Sequence, residues 1–251
     1  MRIVAVIPAR MASTRFPGKP MALIHGIPMI GHCFLRVRMC TDIQETYVAT
    51  CDKEIYDYIE SIGGQAVMTS RRHERASDRA AEAMLELENR SGERIDILVM
   101  VQGDEPMDTP QMIHEAVQPM IEDSTINVVN LMGVIESIEE FEDPNCIKVV
   151  CDLKGDAIYF SREAIPTQSK IREVSLHKQV CVIPFRRDFL IDYTNMEPTP
   201  LEIMESIDML RILENGLNVR MIPTKYQTHA VDTKEDLVKV EKIMQMNAVV
   251  L

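Results

Sequence analysis

Ile7-Pro8-Ala9-Arg10-Met11-Ala12-Ser13-Thr14-Arg15-Phe16-Pro17-Gly18-Lys19-Pro20 is the stretch whose reading decides the fold. The apolar residues 2–8 ahead of it read as a short buried strand, and the strand empties straight into a loop with three cations, Arg10, Arg15 and Lys19. The chain as a whole is acidic, with a formal net charge of -12, so a dense basic loop is not there for general solubility. A basic loop just past the first strand of an α/β sheet is where a small polyanionic ligand is expected. Arginine forks onto phosphate oxygens bidentately, lysine acts as a point charge, and Gly18 lets backbone amides come close.

Working outward, residues 29–40 read as a helix, 45–50 as a strand, and 53–62 as a helix closed by Gly63-Gly64. Residues 65–68, 78–88, 96–102 and 110–121 continue as strand, helix, buried strand and helix, with Pro110 in the first turn of the last. Strands alternating with helices over short connections predict a parallel sheet covered on both faces. Ligands in such sheets bind beyond the carboxyl ends of the strands. The middle of the chain reads differently. Residues 127–134, 147–151, 157–160 and 180–185 are strand-like with little helix between, and Asp152-Leu153-Lys154-Gly155-Asp156 is a hairpin turn. Helical patterns return at 200–215, closed by Gly216, and at 233–246, where Thr233 is a candidate N-cap. The expectation is an α/β core over 1–127, a β-rich insertion over 128–190, and C-terminal helices over 191–251 that complete the core.

With 251 residues and 46% hydrophobic content the chain can bury a sizeable core. Its acidity argues against nucleic acid as a partner. No apolar run approaches the roughly 20 residues that span a bilayer, and no signal peptide is expected. The six cysteines form no CxxC pair and read as reduced and buried, so a cytoplasmic protein is expected.

Neither GxxxxGK[ST] nor GxGxxG is present. The opening loop instead resembles the signature loop of sugar nucleotidyltransferases, and most closely that of the 3-deoxy-manno-octulosonate (KDO) cytidylyltransferases, where it wraps the triphosphate of CTP. Val101-Gln102-Gly103-Asp104-Glu105-Pro106 places an acid just after a buried strand, where a hard cation beside phosphates finds an oxygen ligand. VQGDEP is also a signature of that family, and the resemblance makes Asp104 a Mg²⁺ ligand and puts Gln102 near the nucleotide. In Val231-Asp232-Thr233-Lys234-Glu235-Asp236-Leu237 the acid at 232 alone reads as a helix cap. The family carries VDTPEDL, whose first Asp is the other metal ligand. Met68-Thr69-Ser70 and the segment 73–79 match the family's CMT and H-x-SGTER, which hold the cytosine and ribose; Ser77, Asp78 and Arg79 stand for its T-E-R, while Arg75-Ala76 replace its Ser-Gly. Similarity continues through Asp143-Pro144-Asn145-Cys146-Ile147-Lys148-Val149-Val150 and Tyr159-Phe160-Ser161-Arg162, and spans essentially the whole chain.

The resemblance implies a Rossmann-like nucleotidyltransferase fold, a mostly parallel sheet with a β-rich insertion, and Mg²⁺-dependent cytidylyl transfer that activates a sugar acid for surface glycan synthesis. It places Pro8, Ala9, Arg10, Ser13, Lys19, Met68, Ser77, Arg79 and Gln102 around CTP, assigns catalysis to Arg10, Arg15, Lys19 and Asp104, and gives the metal Asp104 and Asp232. It also implies a homodimer. The departures fall on the acceptor side, where Arg162, Gln179, Asp208 and Arg211 are expected. Gln179 replaces a His, Cys181 a Gly and Ile183 a Tyr; Asp208-Met209 replace Glu-Gln, and the loop after Ile165-Pro166 is shorter and lacks the family's D-R-D. The acceptor is therefore expected to be KDO or a modified relative such as its 8-amino analogue. A transferase of the same fold acting on another carboxylated or phosphonate acceptor, or a non-catalytic nucleotide-binding relative, are the alternatives.

Overall fold

The structure, a computed structural model, describes residues 1–13, 15–167 and 175–246. The chain runs β1 (Ile3–Ala9), β2 (Leu23–Ile24), β3 (Ile27–Pro28), α1 (Met29–Arg38), β4 (Glu45–Thr50), α2 (Lys53–Ser61), β5 (Ala66–Met68), α3 (Ala76–Ser91), β6 (Ile97–Val101) and α4 (Pro110–Glu122). It continues through β7 (Val129–Val134), α5 (Ile138–Glu142), β8 (Lys148–Cys151), β9 (Ala157–Ser161), β10 (His177–Val180), β11 (Val182–Arg186), α6 (Arg187–Thr194), α7 (Pro200–Glu205), α8 (Met209–Glu214), β12 (Arg220–Pro223) and α9 (Lys234–Met246).

The first sheet has the order β11-β6-β1-β4-β5, and β1 pairs parallel with both β4 and β6. Every residue of β1 and of β6 is buried, as central strands covered on both faces require. The period of two then sorts their side chains between two layers. Val4, Val6, Leu98 and Met100 pack with Ala80, Met84 and Leu87 of α3 and with Leu190 and Tyr193 of α6. Ile3, Ala5, Ile7, Ile97, Val99 and Val101 pack with Phe34 of α1, Ile59 of α2 and Ile113 of α4 on the other face. The expected α/β class, with its parallel-rich sheet between helical layers, is what the chain adopts.

The second sheet has the order β12-β7-β10-β8-β9, antiparallel except for β12 beside β7. Two expectations need correction here, and one strand had not been foreseen. The single strand expected over 180–185 is two: β10 lies in the second sheet, Cys181 is the crossover, and β11 adds an antiparallel edge to the first sheet beside β6. An edge is where a strand tolerates Pro184. The helix expected over 200–215 breaks at Ser206, whose φ of 54° is left-handed, giving α7 and α8. Strand β12, which pairs with β7, was not expected at all. As a result, β11 from the middle segment extends the first sheet and β12 from the last segment borders the second. The turn at 152–156 joins β8 to β9, with Asp152 N–H donating to the Asp156 carbonyl at 2.8 Å. All six cysteines are free, but only Cys33 and Cys40 are buried; the other four are partly exposed.

A third apolar cluster holds the site together from beneath. Phe16 from the basic loop, Met29, Met107 and Val231 pack against Val240 and Met244 of α9. This cluster brings the segment before α9 against the loop after β1. Among the described residues no helix is long and apolar enough to cross a membrane.

Candidate active site

Strands β1 and β6 are neighbours and parallel, so the loops at their carboxyl ends open side by side. Gly103 allows them to come this close: a Cβ there would lie 2.9 Å from the Pro8 carbonyl oxygen. Past it, the Asp104 carboxylate accepts from Lys19 Nζ at 2.7 Å. The same ammonium reaches Asp232 Oδ1 at 3.3 Å, and Arg15 Nη2 reaches that oxygen at 2.9 Å. Two acids 128 positions apart in sequence therefore converge on one point, beside the two cations that the opening loop supplies.

Asp232 is not the helix cap that its position alone would make it. Thr233 and Asp236 cap α9 between them: Asp236 N–H donates to Thr233 Oγ1 at 3.1 Å, and Thr233 N–H donates to Asp236 Oδ2 at 2.8 Å. The Asp232 side chain is thereby left for the site. Burial alone would lower the pKa of Lys19; the charges and hydrogen bonds of Asp104 and Asp232 more than reverse this, and the net shift is upward.

Two cavities meet at this point. The first, of about 350 Å³, is lined by Pro8, Ala9, Arg10, Ser13, Arg15, Lys19, the segment from His73 to Ala76, Arg79 and Gln102. The second, of about 630 Å³, lies on the side of the second sheet and includes Asn145, Arg162, Lys178, Gln179 and Cys181 in its wall. Arg15, Gln102, Asp104 and Asp232 line both.

In the first cavity Arg10 donates to the His73 carbonyl at 3.4 Å. Arg79 is 3% exposed and works from behind the wall, donating to Thr69 Oγ1 at 2.5 Å and to the Ser70 carbonyl at 3.2 Å, which shapes the loop carrying His73. Ser77 is fully buried and bonds Asp208 at 3.0 Å rather than facing the cavity. Met68 lies outside this cavity, in a separate surface depression with His73 and Asp78.

On the acceptor side, the Arg162 guanidinium is committed to the carbonyls of Glu205 (2.6 Å), Pro144 (2.9 Å) and Ser206 (3.4 Å). Gln179 Nε2 donates to Asn130 Oδ1 at 2.6 Å, and Asn130, fully buried, donates to the Val180 carbonyl at 2.7 Å. Asp208 and Arg211 line neither cavity. Asp208 pairs with Arg75 at 3.2 Å, and burial raises its pKa against the pull of Arg75. Arg211 is 4% exposed, holds Glu202 bidentately at 2.6 and 2.7 Å, and stacks over Tyr193 at 4.7 Å. The expected contrast at the loop after Pro166 falls largely on 168–174, outside the described residues.

Several residues near the site were given no role by the sequence reading. Lys148 and Lys178 are directly opposed across β8 and β10, both buried. Lys148 donates to the carbonyls of Asp143, Cys146 and Arg162 at 2.8, 2.6 and 2.5 Å, and Lys178 pairs with Glu140. Asn145, on the loop so held, accepts from Arg15 Nη1 at 2.5 Å. The advance hints were the similarity of the segment 143–150 to the family, which holds both Asn145 and Lys148, and the place of Lys148 in a strand-like run, where a lysine must point somewhere specific.

As for a metal, the oxygens of Asp104 and Asp232 converge on one point, and hard carboxylate oxygens beside a polyphosphate site suit Mg²⁺, which usually takes one or two protein carboxylates. Among the described residues there is no cluster of three or more His, Cys, Asp or Glu that could cage a metal without a ligand's help.

Residues 4–249 match the cytidylyltransferase family. The chain is 41% identical to the 3-deoxy-manno-octulosonate cytidylyltransferase of Geobacter metallireducens, an alignment covering 96% of each chain, and 39% identical to the enzyme of that name from Solibacter usitatus, covering 97% of this chain and 95% of the other. Among solved structures, CMP:2-keto-3-deoxy-manno-octonic acid synthetase complexed with CTP superposes with a TM-score of 0.90 at 35% identity, covering 98% of this chain and 100% of that one. The 4-diphosphocytidyl-2C-methyl-D-erythritol synthase of Anaerococcus prevotii, at 12% identity and a TM-score of 0.63 over 97% and 96% of the two chains, shares the fold alone.

Proposed function

The chain belongs to the 3-deoxy-manno-octulosonate cytidylyltransferase family, and on that premise we propose that it joins CTP to KDO, releasing pyrophosphate and giving CMP-KDO. The observation that carries this reading is the junction of the two cavities at Arg15, Gln102, Asp104 and Asp232. A nucleotide in the first cavity presents its α-phosphorus there, and a sugar in the second presents its anomeric hydroxyl to the same point.

In this reading Pro8, Ala9, Arg10 and Ser13 wrap the nucleotide from the β1 side, and the loop shaped by Arg79 faces it from the other. Arg15 and Lys19, which line the nucleotide cavity, take up charge on the triphosphate and on the departing pyrophosphate. Asp104 and Asp232 hold Mg²⁺, which when bound supplies polarisation of the α-phosphate and a lowered pKa for the attacking hydroxyl. Gln102 orients groups on both sides of the junction. The product is an activated sugar for surface glycan synthesis. A homodimer formed through the second sheet is part of the same reading, supported by the exposed Ile158 on its edge strand β9 and the exposed Leu153 in the turn before it.

One observation favours a modified acceptor. The second cavity is walled by Glu136, Glu139, Glu140 and Asp143, an excess of acid around a substrate that is itself an acid. An amino-substituted KDO, cationic at its far end, complements that wall. Pyrophosphate release from CTP and Mg²⁺ with KDO and with its 8-amino analogue tests both readings. Turnover with either supports cytidylyl transfer and names the acceptor; no turnover with either sugar despite CTP binding sinks the proposal.

A further inference from the structure

Lys19 sits where its proposed role as a triphosphate ligand does not by itself require it to be. Its ammonium lies between the two acids, 2.7 Å from Asp104 Oδ2 and 3.3 Å from Asp232 Oδ1, with the side chain only 12% exposed. Arg15 closes on the same Asp232 oxygen at 2.9 Å and is steadied at its other nitrogen by Asn145. Two cations thus face two carboxylates, and the local charge is balanced.

Mg²⁺ binds carboxylate oxygens at about 2.0–2.1 Å, so at these two oxygens it competes with an ammonium already in hydrogen-bond contact. Entering alone, it meets two acids already neutralised by Lys19 and Arg15 and crowds two more positive charges against an ammonium in a largely buried place. A triphosphate changes the balance, because Lys19 and Arg15 also line the nucleotide cavity and phosphate oxygens offer them new partners. The backbone need not move for this exchange: Lys19 opens a short turn held by the Met21 N–H bond to the Gly18 carbonyl at 2.9 Å, and a lysine stem can swing about that anchor.

We propose that Lys19, assisted by Arg15, is a built-in cation that holds the place of the divalent metal, so that the nucleotide admits the metal by drawing these side chains away. The inference rests on the assignment of Asp104 and Asp232 as metal ligands in the reading above. It makes the two side chains positioning residues for the acids before the nucleotide arrives, and it orders the binding steps.

The test reads binding, not turnover, with Mn²⁺ as probe and the free ion followed by its paramagnetic resonance signal against a Mn²⁺–CTP blank. Without nucleotide the wild-type protein binds Mn²⁺ weakly; Lys19→Met raises that affinity by at least about tenfold, while it weakens binding of metal-free CTP. These opposite signs are the signature, since simple damage to the site lowers both. Arg15→Met, at a side chain 50% exposed and so safe for folding, raises the Mn²⁺ affinity in the same direction by less. If both variants melt like the wild type and neither gains Mn²⁺ affinity, the placeholder role is overturned while the metal assignment stands. If the wild type holds no Mn²⁺ beyond the blank even with CTP present, the metal assignment itself fails, and the inference with it.

Discussion

The Val231 amide donates to the Asp104 carbonyl at 2.9 Å, so the two segments that carry the site's acids are joined main chain to main chain. The link does not depend on either carboxylate. Removing a carboxylate charge therefore leaves the scaffold standing, and its effect falls on chemistry. Asp104→Asn is expected to fold normally and to lose on the order of 10²-fold or more in turnover, the scale of losing one preorganised electrostatic contact to a transition state. Steady-state kinetics beside a melting curve checks this; an active Asp104→Asn enzyme would end the role assigned to that acid.

Gly103 against Pro8 gives a steric prediction. An added Cβ would stand 2.9 Å from the Pro8 carbonyl oxygen and 3.2 Å from Ile30 Cδ1, and the backbone oxygen cannot rotate away. Gly103→Ala must push the ends of β1 and β6 apart. Overpacking of this kind costs about 1–3 kcal/mol. Because the shift opens the nucleotide cavity, the KM for CTP is expected to rise more than the KM for the sugar. Urea unfolding and the two Michaelis constants give the readout.

What was legible in the sequence, and what was not, divides along physical lines. Strands β1 and β6 were readable because they are uniformly apolar and end in abrupt polar motifs, and those ends are where the ligand groups stand. The switch of sheets at Cys181 was not: residues 177–186 carry no glycine or turn pair at the crossover, and the apolar run over 180–185 starts with Val180, buried in one sheet, and goes on with Val182, buried in the other. The break at Ser206 was hidden in the same way, by a non-glycine residue in a left-handed conformation. Arg211 and Asp208 were placed on the acceptor side by motif position, yet the fold turns Arg211 onto Glu202 and Asp208 onto Ser77 and Arg75, beside Tyr193. Buried charge of this kind is invisible in a sequence, where an arginine or lysine reads as surface.

Lys148 is the clearest such case and carries its own expectation. Its ammonium satisfies three carbonyls while the side chain is wholly excluded from solvent, and the loop it grips presents Asn145 to Arg15. Lys148→Met keeps most of the volume and removes all three donors. At about 1–3 kcal/mol for a buried acceptor left without a partner, partly relieved by relaxation, a loss of about 3 kcal/mol is expected. A variant that still folds should show a raised KM for the sugar, since the second cavity loses the support of its 143–146 wall. Unchanged stability would mean that the loop is held by something other than Lys148.

Glu105 sets a pH dependence of opposite sign to that of an ordinary surface carboxylate. It is 5% exposed and accepts from Thr228 Oγ1 at 2.6 Å. Burial first, and then the neighbouring Asp104 charge, push its pKa up from 4.5 to about 7 despite the Thr228 bond, and Asp108 behind it is raised in the same direction. Between pH 4.5 and 7 the folded chain keeps a proton that the unfolded chain releases. The stabilisation from this group is therefore complete below the unfolded value and is lost as pH rises through the folded one. Glu105→Gln, which keeps an acceptor for Thr228 and never ionises, should be more stable than the wild type at pH 8 by on the order of 2 kcal/mol and closely matched to it at pH 4.5. Relief of Asp108 works in the same direction, because the Glu105 charge is one of the causes that raise it. Denaturant midpoints taken across that pH range decide the matter: a stability difference that stays flat with pH would show that Glu105 does not hold its proton in the folded chain.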